Sequence, residues 1–201
     1  MRLARFFASV VRFLRRCLGR RPLADRSKNL VFDPNFLWCP GAFWGSWNSV
    51  ELIISLAIGK LLNISYERTH ILTSGMEFGR TANLLRNLVY QLESPDKGKI
   101  TKLIGRLLNE SKRNALAHGI LVSNPTTVTF IDRTRGGDYS ATAHRFTLRE
   151  FSEHIQNITK IGEELRVLLS ISNDDLHDFA MAALRADTKS TKSPVPPNSK
   201  A

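Results

Sequence analysis

Apolar residues recur every three or four positions along most of residues 46–186, and this spacing restricts the fold more than any other feature of the chain. A stripe with that period forms one face of an α-helix, which the protein must bury against other elements. Two of these stripes run from Val50 to Leu62 and from Ile100 to Leu108. The sequence therefore predicts a mainly α fold, a helical bundle of four to five helices.

Capping and turn residues set the predicted limits of these elements. Ser94-Pro95-Asp96 is typical of a helix start, and Gly119 is suited to end that helix in a left-handed conformation. Thr147 and Glu150 have the spacing of a capping box. After Asn124-Pro125 the residues become β-prone, which predicts one β-hairpin over about residues 126–146. The predicted helices cover about residues 46–63, 78–92, 95–118, 147–169 and 175–185.

The net charge of +11 is concentrated toward the two ends of the chain. Residues 1–24 contain seven arginines and no acidic residue, and residues 187–201 have a net charge of +2. The rest of the chain is nearly neutral, so any contact with RNA there must be local, without attraction by an overall field. Composition predicts a basic amphipathic leader over 1–24, an extended arm over 25–45, one helical domain over 46–186 and a disordered tail over 187–201.

Residues 1–24 place apolar side chains at helical spacing among the arginines. This pattern suits a helix lying on an anionic membrane, and it is also typical of an organelle transit peptide or an unstructured leader. Its apolar run is too short for a membrane-spanning helix. Cys17 and Cys39 have no ligand-like spacing, which indicates a reducing compartment and no zinc site. We expect a cytoplasmic protein, with peripheral membrane contact through residues 1–24 as a further hypothesis.

The apolar stripe of the third predicted helix becomes polar at its C-terminal end. On an ideal helix, Ser111, Asn114 and His118 take the positions that leucine and isoleucine occupy earlier in the stripe. Buried polar groups need partners, so such a face lines a cavity or an interface. Arg113 lies about 140° from the centre of the stripe, so an undistorted helix does not direct it toward His118. Either its long side chain wraps round the end of the helix, or it meets the histidine of a second, antiparallel copy of the chain. The second arrangement would bring two arginines and two histidines into one cleft.

The segment Arg113-Asn114-x-x-x-His118 resembles the R-x4-6-H signature of the HEPN superfamily, including the polar residue after the arginine. The resemblance covers roughly residues 46–169. It implies a HEPN-like helical domain and a metal-independent endoribonuclease that acts as a homodimer on RNA, commonly as a toxin or in phage defence. It also implies no cofactor, no metal, and an antitoxin or regulatory protein as a partner. Other members of the superfamily have lost activity and only bind or dimerise.

In an active site of this kind, His118 would take the proton of an RNA 2′-hydroxyl or give one to the leaving 5′-oxygen. Arg113 would bind the scissile phosphate, and Asn114 would orient the phosphate or the imidazole. Glu110 and Ser111 are secondary candidates. The alternative is that His118 is a helix-terminal histidine favoured by the helix dipole and Arg113 is an exposed charge. The domain would then be a non-catalytic module that binds RNA or protein.

Other segments resemble the motif only in part. Arg149-x4-His154 has the spacing, but Glu150 follows the arginine and belongs to the predicted capping box, which favours a structural role. Arg86-Asn87 has the polar pair but is followed by Gln91 where the histidine is needed. A group of aromatic residues near the first core helix is open to two interpretations, stacking on bases or packing in the core: Trp38, Phe43, Trp44 and Trp47.

Overall fold

The computed structural model describes residues 34–123, 126–133 and 140–190. Over these residues the protein is mainly α-helical with a small three-stranded antiparallel sheet, which confirms the predicted mainly α class. The helices are α1 Pro34–Leu62, α2 Tyr66–Thr73, α3 Phe78–Gln91, α4 Lys97–Glu110, α5 Arg113–His118, α6 Leu148–Leu168 and α7 Asn173–Ser190. The strands are β1 Ile120–Ser123, β2 Thr127–Arg133 and β3 Ala141–Thr147, and β2 lies in the middle of the sheet.

The chain forms two compact units, and each contains segments that are distant in sequence. Of the described residues, unit 1 comprises those within 34–49 and 106–161, and unit 2 comprises 50–105 and 162–190. This division lies within the segment that the sequence predicts as one helical domain. The candidate residues from Glu110 to His118 all belong to unit 1.

The sheet of unit 1 has three strands where the sequence predicts a single hairpin over 126–146, so that prediction is incomplete. β1 pairs antiparallel with β2, and β2 with β3, so Phe130 lies between Leu121 and His144. Val128 and Phe130 are both buried, as expected for alternate residues of a strand with one face on the core. The prediction omits β1 because its four residues, between Gly119 and Asn124-Pro125, are too short a run to show a clear strand period.

Aromatic rings fill the core of unit 1. Phe43 and Trp47 are four residues apart on α1, both are fully buried, and their rings stack with centroids 6.0 Å apart. Phe151 of α6 lies 6.5 Å from Phe43 and 5.6 Å from Phe130 of β2, measured between ring centroids. These contacts join α1, α6 and the sheet. They also answer the question left by the sequence, because Phe43 and Trp47 pack in the core.

α1 begins much earlier than predicted. Its first residue is Pro34, so the extended arm predicted over 25–45 is wrong for residues 34–45. Proline suits the first position of a helix because its missing N–H has no intrahelical acceptor there. Burial of Phe43 and Trp47 on one face stabilises this first part of the helix.

α7 continues beyond its predicted end near residue 185. It reaches Ser190, so the disordered tail predicted over 187–201 is wrong for residues 187–190. Residues 182–186 are alanine, leucine and arginine, which are strong helix formers and favour this extension. Residues 191–201 lie outside the described part of the chain.

The described residues of unit 2 are helical or in connecting turns, and its core consists of aliphatic side chains at helical spacing. α1 and α2 approach closely because Gly59 has no side chain, since a Cβ there would overlap the side chain of Thr69. Most of the other buried side chains confirm the stripes predicted from the sequence. They include Ile53, Ile54, Ala57 and Ile58 of α1, Leu85 and Val89 of α3, and Ile100, Leu103 and Ile104 of α4.

An ion pair and a capping box fix the start of α7. Asp175 accepts hydrogen bonds from the backbone N–H and the hydroxyl of Ser172, both at 2.8 Å, and pairs with Lys60 of α1 at 3.0 Å. These contacts, chiefly the Ser172 N–H, lower the pKa of Asp175 to about 2. Ser172 and Asp175 therefore form a capping box at the start of the helix.

No helix in the described ranges is by itself long and apolar enough to cross a membrane. Pro40–Leu62 and Tyr66–Thr73 meet the criteria of length and hydropathy only as a pair, and that pair is bent by 119°. The predicted leader over 1–24 lies outside the described residues. Membrane contact, a transit peptide and an unstructured leader therefore all stay predictions.

Candidate functional site

The candidate residues lie at a break between two helices. α4 ends at Glu110, and α5 begins at Arg113 as a separate helix of six residues. Between them Lys112 has a left-handed conformation, with a φ of 53° and a ψ of 23°. The continuous helix predicted over residues 95–118 is therefore wrong, because a left-handed residue cannot continue a right-handed α-helix.

Ser111 fixes the chain at this break through bonds to two different elements. The residue is only 4% exposed. Its hydroxyl accepts a hydrogen bond from the backbone N–H of Arg113 at 3.3 Å, which satisfies one of the N–H groups at the start of α5. Its carbonyl oxygen lies 2.9 Å from Nε2 of His154 on α6. These bonds give Ser111 a structural role at the break.

His154 lies among the aromatic rings of unit 1. Its ring is nearly parallel to that of Phe43, with centroids 6.5 Å apart, and the Phe146 ring lies 5.5 Å away. Because a carbonyl can only accept, Nε2 of His154 donates the hydrogen bond to Ser111. Burial lowers the pKa of His154 and the charge of Lys112 acts in the same direction, whereas the bond to Ser111 opposes both. The neutral imidazole is therefore favoured, in agreement with the structural role predicted for this histidine.

Arg113 extends from the first residue of α5 toward α1. Its guanidinium carbon lies 5.9 Å from the ring centroid of Trp44, which is a cation–π contact. One terminal nitrogen, Nη1, lies 3.5 Å from Oδ1 of Asn114, at the long limit for a hydrogen bond. The half-buried guanidinium is thus supported by an aromatic ring and also reaches the amide of the next residue.

Asn114 and His118 are both exposed and lie on the same side of α5. Residues four apart on an α-helix are separated by about 40° around its axis. Arg113 and His118 are five apart and leave the helix about 140° from each other. The structure therefore brings the Arg113 guanidinium to Asn114, and places His118 one turn along on the Asn114 side.

Glu110 is engaged in the last turn of α4. Its carboxylate pairs with Arg106, one turn earlier, at 3.2 Å. The same guanidinium donates a hydrogen bond to Oδ1 of Asn157 on α6 at 2.9 Å. The ion pair directs the Glu110 side chain back along α4. This secondary candidate therefore contacts the arginine that joins α4 to α6.

Gly119 joins α5 to β1 where the backbone passes very close to other backbone atoms. Its φ of −71° and ψ of 156° are extended, so the left-handed stop predicted at this position is wrong. Glycine is needed for another reason, because a Cβ here would overlap the carbonyl oxygen of Ala115 and lie 3.1 Å from that of Ile131. The chain therefore passes directly from α5 into the sheet, with His118 at the junction.

The second motif match has a different geometry. Arg149 is exposed and pairs with Glu153 at 2.8 Å on the surface of α6. Glu150 accepts hydrogen bonds from the backbone N–H and the hydroxyl of Thr147 at 2.7 and 3.0 Å, which confirms the predicted capping box. Arg149 and Glu150 therefore act at the surface and at the start of a helix.

Two residues that contact the break or Arg113, namely His154 and Trp44, are absent from the predicted site residues. The sequence contains one relevant signal, the aromatic group before the first core helix. Of that group Phe43 and Trp47 are buried and Trp44 is half-buried, while the side chain of Trp38 lies outside the described part of the structure. Nothing in the spacing links Trp44 to Arg113, because the contact joins distant parts of the chain.

Within the described ranges, no group of three or more His, Cys, Asp or Glu residues is arranged to hold a metal ion. Comparison with protein-family models, with curated proteins and with solved structures found no match to this chain. The inference of function therefore depends on α5 and on the side chains that surround it.

Proposed function

We propose that this protein is a metal-independent endoribonuclease of the HEPN type, with Arg113, Asn114 and His118 as its catalytic residues. The geometry of α5 is the observation that supports this best. Asn114 and His118 are exposed on one side of this helix, and the Arg113 guanidinium reaches Asn114. A phosphate is bound by a cation and a hydrogen-bond donor, and histidine is the side chain that most often transfers protons in catalysis. α5 supplies these three residue types in less than two turns.

The active site would form between two copies of the chain in a HEPN-like bundle. Arg113 and His118 leave one α5 about 140° apart, so a single copy does not direct both side chains at one phosphate. In a two-fold homodimer with antiparallel α5 helices, the guanidinium of one copy would face the imidazole of the other. The arginines and histidines of both copies would then share one cleft and act on a single phosphate.

The substrate is RNA with a flexible backbone. His118 removes the proton of the 2′-hydroxyl, whose oxygen attacks the adjacent phosphorus, and the partner subunit's His118 protonates the leaving 5′-oxygen. Arg113 donates paired hydrogen bonds to the phosphate and stabilises the negative charge of the five-coordinate transition state. Asn114 orients the phosphate or the imidazole. The bond from phosphorus to the 5′-oxygen breaks, which leaves a 2′,3′-cyclic phosphate and a 5′-hydroxyl.

The activity of a nuclease of this kind must be inhibited in the cell that produces it. The resemblance to HEPN proteins extends the proposal to a toxin or an effector of phage defence in the cytoplasm. Its partners would be RNA, a second copy of the chain, and an antitoxin or other regulatory protein.

The test uses purified full-length protein and single-stranded RNA in excess EDTA. We expect cleavage with 2′,3′-cyclic phosphate ends, and His118→Ala should slow it by about 10²–10⁴-fold. His177 on α7 is also exposed, so His177→Ala is a matched control that should cleave at the wild-type rate. An absolute requirement for a metal ion, or equal losses in the two variants, contradicts the proposal.

A non-catalytic binding module is the second candidate, and exposed apolar residues on β1 favour it. Ile120 and Val122 are 44% and 50% exposed, and they lie on the same face of a strand at the edge of the sheet. Exposed aliphatic side chains suit contact with a protein. This candidate predicts that RNA or a protein is bound and stays intact, with the same dissociation constant for the wild type and His118→Ala.

A further inference from the structure

We propose that His154 is a positioning residue for Arg113, an inference that rests on the proposed ribonuclease function. His154 belongs to the second arginine–histidine match, which the proposed mechanism does not use. It is connected to Arg113 by two routes. One passes through the backbone at Ser111, and the other passes through the rings of Phe43 and Trp44.

The backbone route joins α6 to the first residue of α5. Nε2 of His154 donates to the carbonyl of Ser111 at 2.9 Å, and the hydroxyl of the same serine accepts from the Arg113 N–H at 3.3 Å. Ser111 is buried, so water cannot readily replace the imidazole if the donor is removed. The bond from His154 therefore fixes the residue from which the Arg113 side chain starts.

The ring route reaches the other end of the same side chain. The His154 ring is parallel to Phe43, and Phe43 contacts Trp44 edge-on with centroids 5.5 Å apart. Trp44 in turn supports the Arg113 guanidinium at 5.9 Å. Protein interiors are close-packed, so a change in the size of one ring displaces its neighbours. His154 thus helps to hold the surface on which the guanidinium lies.

This position matters because a guanidinium binds phosphate through two donors in one plane. A displacement of about 1 Å can cost about a hundredfold in rate even when the residue that moved does not react. Arg113 stabilises charge that develops in the transition state, so its misplacement lowers kcat more than it raises KM. His154 touches no RNA in this scheme and acts only through Arg113.

Two substitutions separate the donor from the ring. His154→Gln retains an N–H donor near the position of Nε2, whereas His154→Phe retains a ring beside Phe43 and loses the donor. Arg149→Ala is the matched control, since Arg149 lies on the same helix in an exposed ion pair with Glu153. The measurements are kcat and KM for RNA cleavage, thermal unfolding, and the rate of trypsin cleavage after the exposed Lys112.

We expect His154→Phe to lower kcat about tenfold to a hundredfold with little change in KM. Trypsin cleavage after Lys112 should become about two to ten times faster, because one hydrogen bond at the break is lost. His154→Gln should restore the trypsin rate but only part of kcat, because it retains the donor and lacks the ring, and Arg149→Ala should match the wild type. If His154→Phe does not fold, His154→Asn replaces it, since its shorter side chain withdraws the donor.

A folded His154→Phe variant with wild-type kcat and an unchanged trypsin rate overturns this inference and leaves the proposed function intact. Wild-type protein that does not cleave RNA overturns the proposed function. In that event the trypsin rates still decide whether His154 holds the break, because that measurement does not depend on nuclease activity.

Discussion

Two segments of this chain place an arginine five residues before a histidine, and the structure puts them in different settings. Arg113 and His118 are the first and last residues of the six-residue helix α5. Arg149 and His154 lie within the first two turns of the 21-residue helix α6. His118 is exposed, whereas His154 donates to a backbone carbonyl and lies among aromatic rings. The limits of a helix, and not the spacing alone, determine which histidine a ligand can reach.

The arginines of the two segments differ as much as the histidines. Arg113 is half-buried, and its guanidinium lies against the ring of Trp44. Arg149 is exposed and paired with Glu153, a contact that contributes little to stability and would compete with phosphate. The two arginines therefore differ in their neighbours, because a carboxylate engages Arg149 and an aromatic ring lies against Arg113.

Replacement of the two arginines by lysine gives the largest expected contrast. Arg113→Lys retains the charge but loses the paired donors, so RNA cleavage should slow by about 10²–10³-fold. Arg149→Lys should cleave at the wild-type rate. Single-turnover rates in EDTA at saturating RNA provide the measurement. A wild-type rate for Arg113→Lys would show that a point charge is sufficient and that the role assigned to the guanidinium is wrong.

Two glycines test whether the end of α5 is as tightly packed as the structure indicates. Gly119→Ala should lower the free energy of unfolding by about 1–3 kcal/mol, because the new methyl group overlaps a carbonyl oxygen. Gly98 of α4 has open space around it, so Gly98→Ala should raise the free energy of unfolding by about 0.5–1 kcal/mol. Urea unfolding measures both. Effects of the same sign at the two positions would contradict the close approach at Gly119.

Arg149 and His154 lie in the first turns of the long helix α6. The hydroxyl of Thr147 caps the start of this helix. Thr147→Ala should lower the free energy of unfolding by about 1 kcal/mol, since one N–H at the start of the helix loses its acceptor. Thr147→Ser retains the hydroxyl and should remain close to the wild type. Thermal unfolding compares the variants. No difference between alanine and serine would show that the capping box contributes nothing measurable.

Protonation of His154 in acid should lower the free energy of unfolding, by less than the substitutions above. Burial lowers the pKa of His154, so near pH 6.5 the unfolded chain takes up a proton that the folded protein does not. The stability gained from the neutral imidazole is present above that pH and is lost as the pH falls toward the folded pKa. Between pH 7.5 and 5.5 the wild type should lose less than about 1 kcal/mol more than His154→Gln. A larger loss in the glutamine variant would reverse the assigned sign.

The sequence predicts most of the helical fold because burial of one face of a helix requires apolar residues at the helical period. The stripe from Ile100 to Leu107 is buried as expected, and Thr147 and Glu150 form the predicted capping box. Both signals are local, since each depends on residues within one helix. The start of α1 at Pro34 is not local, because it depends on packing of Phe43 with the distant ring of Phe151.

The sequence identifies the residue types of the candidate site but not their directions. Lysine has no preference for the left-handed conformation, so nothing at Lys112 signals a break. At the break Ser111 contacts His154, which lies 43 residues further along the chain. Positions calculated for one continuous helix therefore do not apply to Asn114 and His118.

The left-handed Lys112 is also a suitable position for stabilising substitutions and for attaching a label. A lysine in this conformation costs about 1 kcal/mol relative to glycine, and asparagine adopts it more readily than most residues. Lys112→Gly or Lys112→Asn would keep the corner, relieve that cost and remove a positive charge beside α5. Because the side chain is exposed, a dye or a photocrosslinker attached here would report on whatever approaches α5.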